Sequence, residues 1–413
     1  MSNKNTGIYL GFDINNKNTV ISFYKTGMAE PETVSTVMGS ESFLVPTFIA
    51  KKRGVGQWFF GDEAYHRTAT GEAIGVEDLY NKAVANLTVT VDGMVYEARD
   101  LLGIFFKKLF AIPNPGYGGA GLQKLIICVE QVSVEIMELF TTVAISLNLS
   151  PEYLTVIDHR ESFYYYMYNQ APELFLYYSA LFDYSGTNMV GFMMNRNTKT
   201  RPQVVTIDQA VYGDIGDRKD EAFDAILDKA FNEKFVSSVY LVGDGFDGDW
   251  MKSSLTKACK GRKVFRGMNL YSKGACYAGY IKDGNMDWPF IYMGDNELKI
   301  NLSLKVLDDN DLKFYSLIDA GESWYEAKGE CEVIIDGAPE IEFWIQKPDS
   351  REAHVELVEL SDLPERENRT TRIRINAIPI SDKSISIKVM DLGFGEIYPS
   401  TGKTWEHEIS LES

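Results

Sequence analysis

Ile8-Tyr9-Leu10-Gly11-Phe12-Asp13-Ile14-Asn15-Asn16 is an apolar run that ends on a carboxylate and a polar turn. Its composition predicts a buried strand over Ile8–Asp13, a turn over Asn15–Asn18, and a second strand over Val20–Tyr24. Working outward, Val45–Ala50 and Gln57–Phe60 alternate in the manner of short strands. Between Tyr96 and Phe110 the apolar residues Leu101, Leu102, Phe105, Phe106, Leu109 and Phe110 follow helical spacing, which implies one buried face. A Pro/Gly-rich loop over Ile112–Gly121 leads to a buried-strand run, Leu125–Val129. Then come a helix over Ser133–Leu147, a strand over Leu154–Ile157 and a Tyr-rich helix from Glu161 to Tyr168. Further strands fall at Tyr178–Asp183, Met189–Met194, Val204–Ile207 and Val239–Val242, with a helix near Glu221–Asn232. Strands alternating with helices predict an α/β architecture in two lobes over residues 1–285.

The pattern changes over 286–413. Leu298, Ile300, Leu302, Leu304 and Val306 alternate with other residues, the signature of a half-buried strand. The same period recurs at Cys331–Ile335, Ile341–Ile345, Ile373–Ala377, Ile385–Val389 and Trp405–Leu411. Turn residues separate these runs, so this third is predicted to be an all-β sandwich.

Composition narrows the function classes. Hydrophobic residues make up 45% of the 413, enough for two cores, and no apolar run reaches membrane-spanning length. The N-terminus MSNKNTG lacks a signal-peptide segment. Cys128, Cys259, Cys276 and Cys331 are scattered without paired spacing, which predicts reduced thiols in a cytoplasmic protein and no metal cluster. The net charge is −18. Residues 286–413 carry 27 acidic and 13 basic side chains, a net of −14, against −4 for the remainder. Nucleic-acid binding needs a basic footprint and is set aside.

Five segments resemble, in order, those of the superfamily of actin, sugar kinases and heat-shock ATPases. Gly11-Phe12-Asp13-Ile14-Asn15-Asn16 resembles the first phosphate loop. Val45-Pro46-Thr47-Phe48 and Phe60-Gly61-Asp62-Glu63-Ala64 resemble the opening of the heat-shock subdomain IB. Ile157-Asp158-His159-Arg160-Glu161-Ser162 resembles the first connecting helix, and Phe182-Asp183-Tyr184-Ser185-Gly186-Thr187 the second phosphate loop. Tyr240-Leu241-Val242-Gly243-Asp244-Gly245 resembles the adenosine loop, followed by Gly274-Ala275-Cys276-Tyr277-Ala278 as the second connecting helix. Ile373–Gly395 and Thr401-Gly402-Lys403 resemble the late strands of a heat-shock substrate-binding sandwich. The chain thus resembles the seventy-kilodalton heat-shock (DnaK-type) chaperones, and the helical lid of that family has no counterpart in it.

The resemblance implies an actin-like, ribonuclease H-like nucleotide-binding domain and a peptide-binding sandwich. It implies ATP or ADP as ligand, with Mg²⁺ held through waters by Asp13 and Asp183. Glu161 would orient the attacking water and Lys82 would neutralise phosphate. Asn15, Asn16, Ser185, Gly186, Thr187, Gly243, Asp244 and Gly245 would line the nucleotide. Leu302, Leu304, Ile334 and Ile335 would line the peptide cleft.

Several positions depart from the family pattern. Asn15, Asn16 and Lys17 stand where the first loop normally has a glycine and threonines, and Asp244 replaces a glycine of the adenosine loop. A β-carbon there crowds the backbone approach to phosphate. Only 60 positions separate Asp183 from Gly243, too few for the lobe IIB on which nucleotide-exchange factors dock. The expected function is therefore a heat-shock-like protein with a weak or degenerate ATP site, hydrolysing ATP at most. Its sandwich would bind a protein or an extended peptide that is both basic and apolar. An active ATPase chaperone and an actin-like assembly scaffold are the alternatives.

Overall fold

The computed structural model describes residues 7–35, 42–112 and 121–411. Most of the Pro/Gly-rich loop anticipated over Ile112–Gly121 lies outside them. The chain divides into two compact units, Met1–Asn195 with Asp208–Trp288, and Arg196–Ile207 with Pro289–Ser413.

The first unit opens with β1 (Ile8–Ile14), β2 (Asn18–Lys25) and β3 (Glu32–Thr33). An inserted group comes next: β4 (Val45–Pro46), β5 (Ile49–Lys52), β6 (Trp58–Phe60), α1 (Gly61–Ala69), β7 (Ala73–Val76), α2 (Leu79–Val84) and the hairpin of β8 (Thr88–Val91) and β9 (Met94–Glu97). Beyond it lie α3 (Ala98–Phe110), β10 (Leu122–Val129), α4 (Val134–Ser146), β11 (Leu154–Asp158) and α5 (His159–Tyr168). The later half runs β12 (Tyr178–Ser185), β13 (Asn188–Asn197), β14 (Gln203–Asp214), α6 (Lys219–Phe231), β15 (Val236–Val242), α7 (Ser253–Ala258), β16 (Lys263–Arg266) and α8 (Leu270–Lys282).

Without the insertion, both halves share one succession: three strands, then helix, strand, helix, strand, helix. The sheet orders match as well, β3-β2-β1-β10-β11 and β14-β13-β12-β15-β16. In each, the first strand pairs antiparallel with the second and parallel with the fourth. The halves diverge after the third strand. In the first, residues 45–97 are inserted; in the second, only residues 215–218 separate β14 from α6.

Every residue of β1 is buried, as befits a central strand covered on both faces. Its core partners include Phe105 and Phe106 of α3 and Phe140 of α4, all without exposure. Gly274 of α8 lies against α5 so closely that a Cβ there would sit 2.2 Å from the Ser162 carbonyl oxygen. Only glycine permits that crossing. The hydroxyl of Ser162 donates to the Tyr271 carbonyl at 2.6 Å and fixes it.

The second unit takes in residues 203–207 of β14, and there β17 (Phe290–Tyr292) pairs in parallel with Gln203–Val205. Beyond it come β18 (Asn301–Asp308), β19 (Asp311–Ile318), β20 (Gly329–Ile334), β21 (Glu340–Gln346), β22 (Ala353–Glu359), β23 (Arg372–Ser381), β24 (Ser384–Gly393) and β25 (Thr404–Ser410). They form two four-stranded sheets, β19-β18-β21-β22 and β20-β23-β24-β25. Leu302, Leu304 and Phe343 from one sheet share a core with Ile373, Ile375 and Ile387 from the other. Three strands of this unit, β17, β19 and β22, have no counterpart in the sequence reading. The strand anticipated from Leu298 begins at Asn301.

Among the described residues no helix is long and apolar enough to cross a membrane.

Candidate functional site

Parallel strands deliver side chains at their carboxyl ends, where open α/β sheets bind ligands. Asp13 near the end of β1 stands opposite Cys128 of β10, and Cys128 stands opposite Ile157 of β11. One residue beyond β11, His159 opens α5. Asp158 caps that helix, its carboxylate accepting from the Glu161 backbone N–H at 2.7 Å. The cap fixes His159, whose Nε2 donates to Oδ1 of Asp13 at 2.9 Å. The imidazole stacks on Tyr271 of α8, with centroids 3.8 Å apart and planes 3° from parallel. Tyr271 in turn donates to Asp183 at 3.0 Å, and the Ser185 hydroxyl donates to the other oxygen of Asp183 at 2.6 Å. The two aspartates expected to share a hydrated metal ion are thus joined through a histidine and a tyrosine.

The electrostatics arise from this packing. Burial pushes the Asp183 carboxyl up, against the pull of His159 and its two hydroxyl donors. Burial opposes charging of His159, yet Asp13, with help from Asp183 and Glu130, holds it above its ordinary value. Burial, then the Asp13 charge, pushes the Cys128 thiol well up.

A second set of contacts occupies the two turns that resemble phosphate loops. The side-chain oxygen of Asn15 accepts from the N–H groups of Lys17 at 2.8 Å and Asn18 at 2.9 Å, closing the turn on itself. Asn16 donates to Asp78 at 2.8 Å and accepts from the Asn81 N–H, tying the loop to α2. In the second loop the N–H of Gly186 donates to Asp244 at 2.9 Å, and the other oxygen of Asp244 pairs with Lys17. Lys17 and the Gly186 N–H hold the Asp244 carboxyl below the usual carboxylate range. Gly243, at φ +103°, lies against the Tyr184 carbonyl, where a Cβ would be 2.4 Å from the oxygen. That glycine is required by packing within the protein itself.

Of the other anticipated residues, Glu161 is buried and ion-paired with Lys282 at 2.8 Å. Lys82 turns back to donate to the Glu77 carbonyl at 2.7 Å. Thr187 is exposed, and Gly245 packs on the Tyr184 ring. Asn15 and Asp244 thus take the N–H groups of Lys17, Asn18 and Gly186, and as they stand these three donors do not fit the phosphates of a magnesium–nucleotide complex.

The scattered spacing of the cysteines conceals a cluster. Asp13, Cys128 and His159 bring ligating atoms within 4.8 Å of one another. Asp13 ends a predicted strand, Cys128 lies one residue before the end of another and His159 two residues past a third; the register that aligns them is not legible in the sequence.

In the second unit a cavity of about 1280 Å³ opens between the two sheets. Leu304, Ile334 and Ile335 line it, together with Leu312 and Phe314 of β19. Leu302 does not: it is wholly buried in the core. Phe314 is 61% exposed and Ile334 48%. The acids of the rim are largely paired, Asp308 with Lys313 at 2.8 Å, Asp336 with Arg369 at 2.7 Å and Glu332 with Arg374 at 2.6 Å.

The architecture is thus a chain of two units, the first built from one α/β succession used twice and the second a sandwich with an open end. A family model described as the C-terminal part of a family of unknown function, DUF5716, matches residues 30–295, and the chain belongs to that family. A second model, a domain of unknown function, DUF8552, matches residues 297–411. No curated protein matches the chain.

Proposed function

We propose that this protein is a divergent relative of the heat-shock chaperones that binds an extended polypeptide through its β-sandwich. Its actin-like nucleotide site is degenerate. The succession shared by the two halves of the first unit supports an actin-like reading. So does the placement of Asp13 and Asp183 on corresponding strands, β1 and β12. Four residues between β14 and α6 leave no room for a full lobe IIB, and exchange factors of the usual kind would have nothing to grip.

One observation carries the proposal: the polar corner of the first unit is filled by the protein's own side chains, while the apolar end of the sandwich is open. Exposed Leu312, Phe314 and Ile334 beside a cavity of about 1280 Å³ are a surface that an apolar segment covers with a gain in free energy. Because Arg and Lys already neutralise most rim acids, apolar contact dominates, and the preference for basic peptides is modest. Fluorescence anisotropy with a labelled set of extended peptides tests this. Binding that rises with apolar content and weakens less than tenfold from low to high salt is the expected result. Equal failure of all peptides, apolar and basic, would overturn it.

A further inference from the structure

Two neighbouring parallel strands and the first residue of the helix after a third each contribute one metal-ligating side chain to a single point. We propose that Asp13, Cys128 and His159 form a binding site for a borderline-soft divalent transition-metal ion, Zn²⁺ foremost. The inference does not depend on what the sandwich binds.

The register supports it first. Asp13 and Cys128 are directly opposed across β1 and β10, so both project on the same face, and the Asp158 cap fixes His159 beside them. Their ligating atoms lie within 4.8 Å of one another. Zinc bonds of roughly 2.0–2.3 Å place tetrahedral ligands about 3.3–3.8 Å apart, so side-chain shifts of about 1 Å bring all three onto one ion.

Charge supports it next. Cys128 is fully buried, Asp13 is 9% exposed, and the His159 side chain is 11% exposed. Asp183 and Glu130 add negative charge around the imidazole. Arg160, next to His159 in the chain, is paired with Asp158 at 3.1 Å, and Lys282 is paired with Glu161 at 2.8 Å. A divalent ion adds positive charge among these acids, and it binds the thiolate that burial alone disfavours.

The ligand set selects among metals. Magnesium takes oxygen ligands and keeps several waters, whereas one thiolate, one imidazole and one carboxylate suit zinc or cobalt. The stack of Tyr271 on His159 holds the ring plane, as supporting groups do around bound metals. Three protein ligands leave a fourth position open.

The test uses tag-free, full-length protein, stripped with a chelator and titrated with Co²⁺. One ion per chain is expected, with thiolate-to-cobalt charge-transfer absorption and intense tetrahedral visible bands, both displaced by Zn²⁺. Cys128→Ser should abolish the charge-transfer band, while Cys259→Ser and Cys331→Ser leave it intact. Asp13→Asn, which keeps the side-chain shape, should weaken binding at least tenfold. Absence of the bands in folded protein, or their survival in Cys128→Ser, overturns the proposal. Should Cys128→Ser fail to fold, Asp13→Asn decides, and unchanged cobalt affinity in it overturns the proposal.

Discussion

The phosphate-loop corner of the first unit and the open end of the sandwich are both rich in polar side chains beside tight turns, yet they end in opposite states. In the corner, three loop N–H groups meet a side chain of the protein: Asn15 takes those of Lys17 and Asn18, and Asp244 takes that of Gly186. In the sandwich, the ion pairs sit around the rim and satisfy one another, leaving Phe314 and Ile334 bare. The difference lies in which groups pair. Where side chains pair with backbone donors, those donors are taken. Where side chains pair among themselves, the apolar surface between them stays available.

The sandwich can keep an open end only if it is held elsewhere. Asp391, fully buried, accepts two hydrogen bonds from Arg366 at 2.7 and 2.8 Å, and others from Thr401 and the Gly393 N–H. Arg366→Ala leaves that carboxylate without its counter-ion and should cost about 3–5 kcal/mol of sandwich stability by chemical denaturation, the largest effect expected. Arg366 and then Thr401 hold the Asp391 carboxyl well below the usual carboxylate range. Its contribution is therefore complete above the unfolded value of about 3.9 and is lost as pH falls below it. A stability profile that stays flat from neutral pH to strong acid would contradict this.

Leu302 and Ile334 sharpen the comparison within one domain. Leu302→Ala empties a core position and should destabilise by about 2–5 kcal/mol. Ile334→Ala, at the cleft, should change stability by less than about 0.5 kcal/mol, yet weaken peptide binding severalfold. Loss of stability without loss of binding in Ile334→Ala would make the cleft mere core.

Much of the fold was legible because burial leaves a period. β1, β10 and β24 are strongly patterned, and their runs in the sequence mark them as strands. β19 escaped because most of its residues, Leu312, Phe314 and Tyr315 included, are exposed, so no buried face shows. Its hairpin turn, Asp309-Asn310 with both φ values positive, is the one local signal of the strand that the sequence carries. In the site, Asp13 and Asp183 were legible as strand-ending carboxylates. His159 was not, since its bond to Asp13 spans 146 positions and depends on the β1–β10–β11 register. Asp244, anticipated only as a replaced glycine that crowds phosphate, bonds the Gly186 N–H and pairs with Lys17.

The smallest stability effect belongs to the closing pair itself. Lys17 and Asp244 have side chains 69% and 37% exposed, so Lys17→Ala should change stability by only about 0–1 kcal/mol. A larger loss would mean that the pair holds the two loops together and does more than fill the corner.

The most direct measurement is calorimetric titration of the full chain with ATP and magnesium, beside an Asp244→Gly variant that frees the Gly186 N–H. The expected result is no binding at micromolar concentrations by the natural sequence and a measurable gain in the variant. Micromolar or tighter binding by the natural sequence, abolished by Asp183→Ala, would show that the corner is a working nucleotide site and contradict the account.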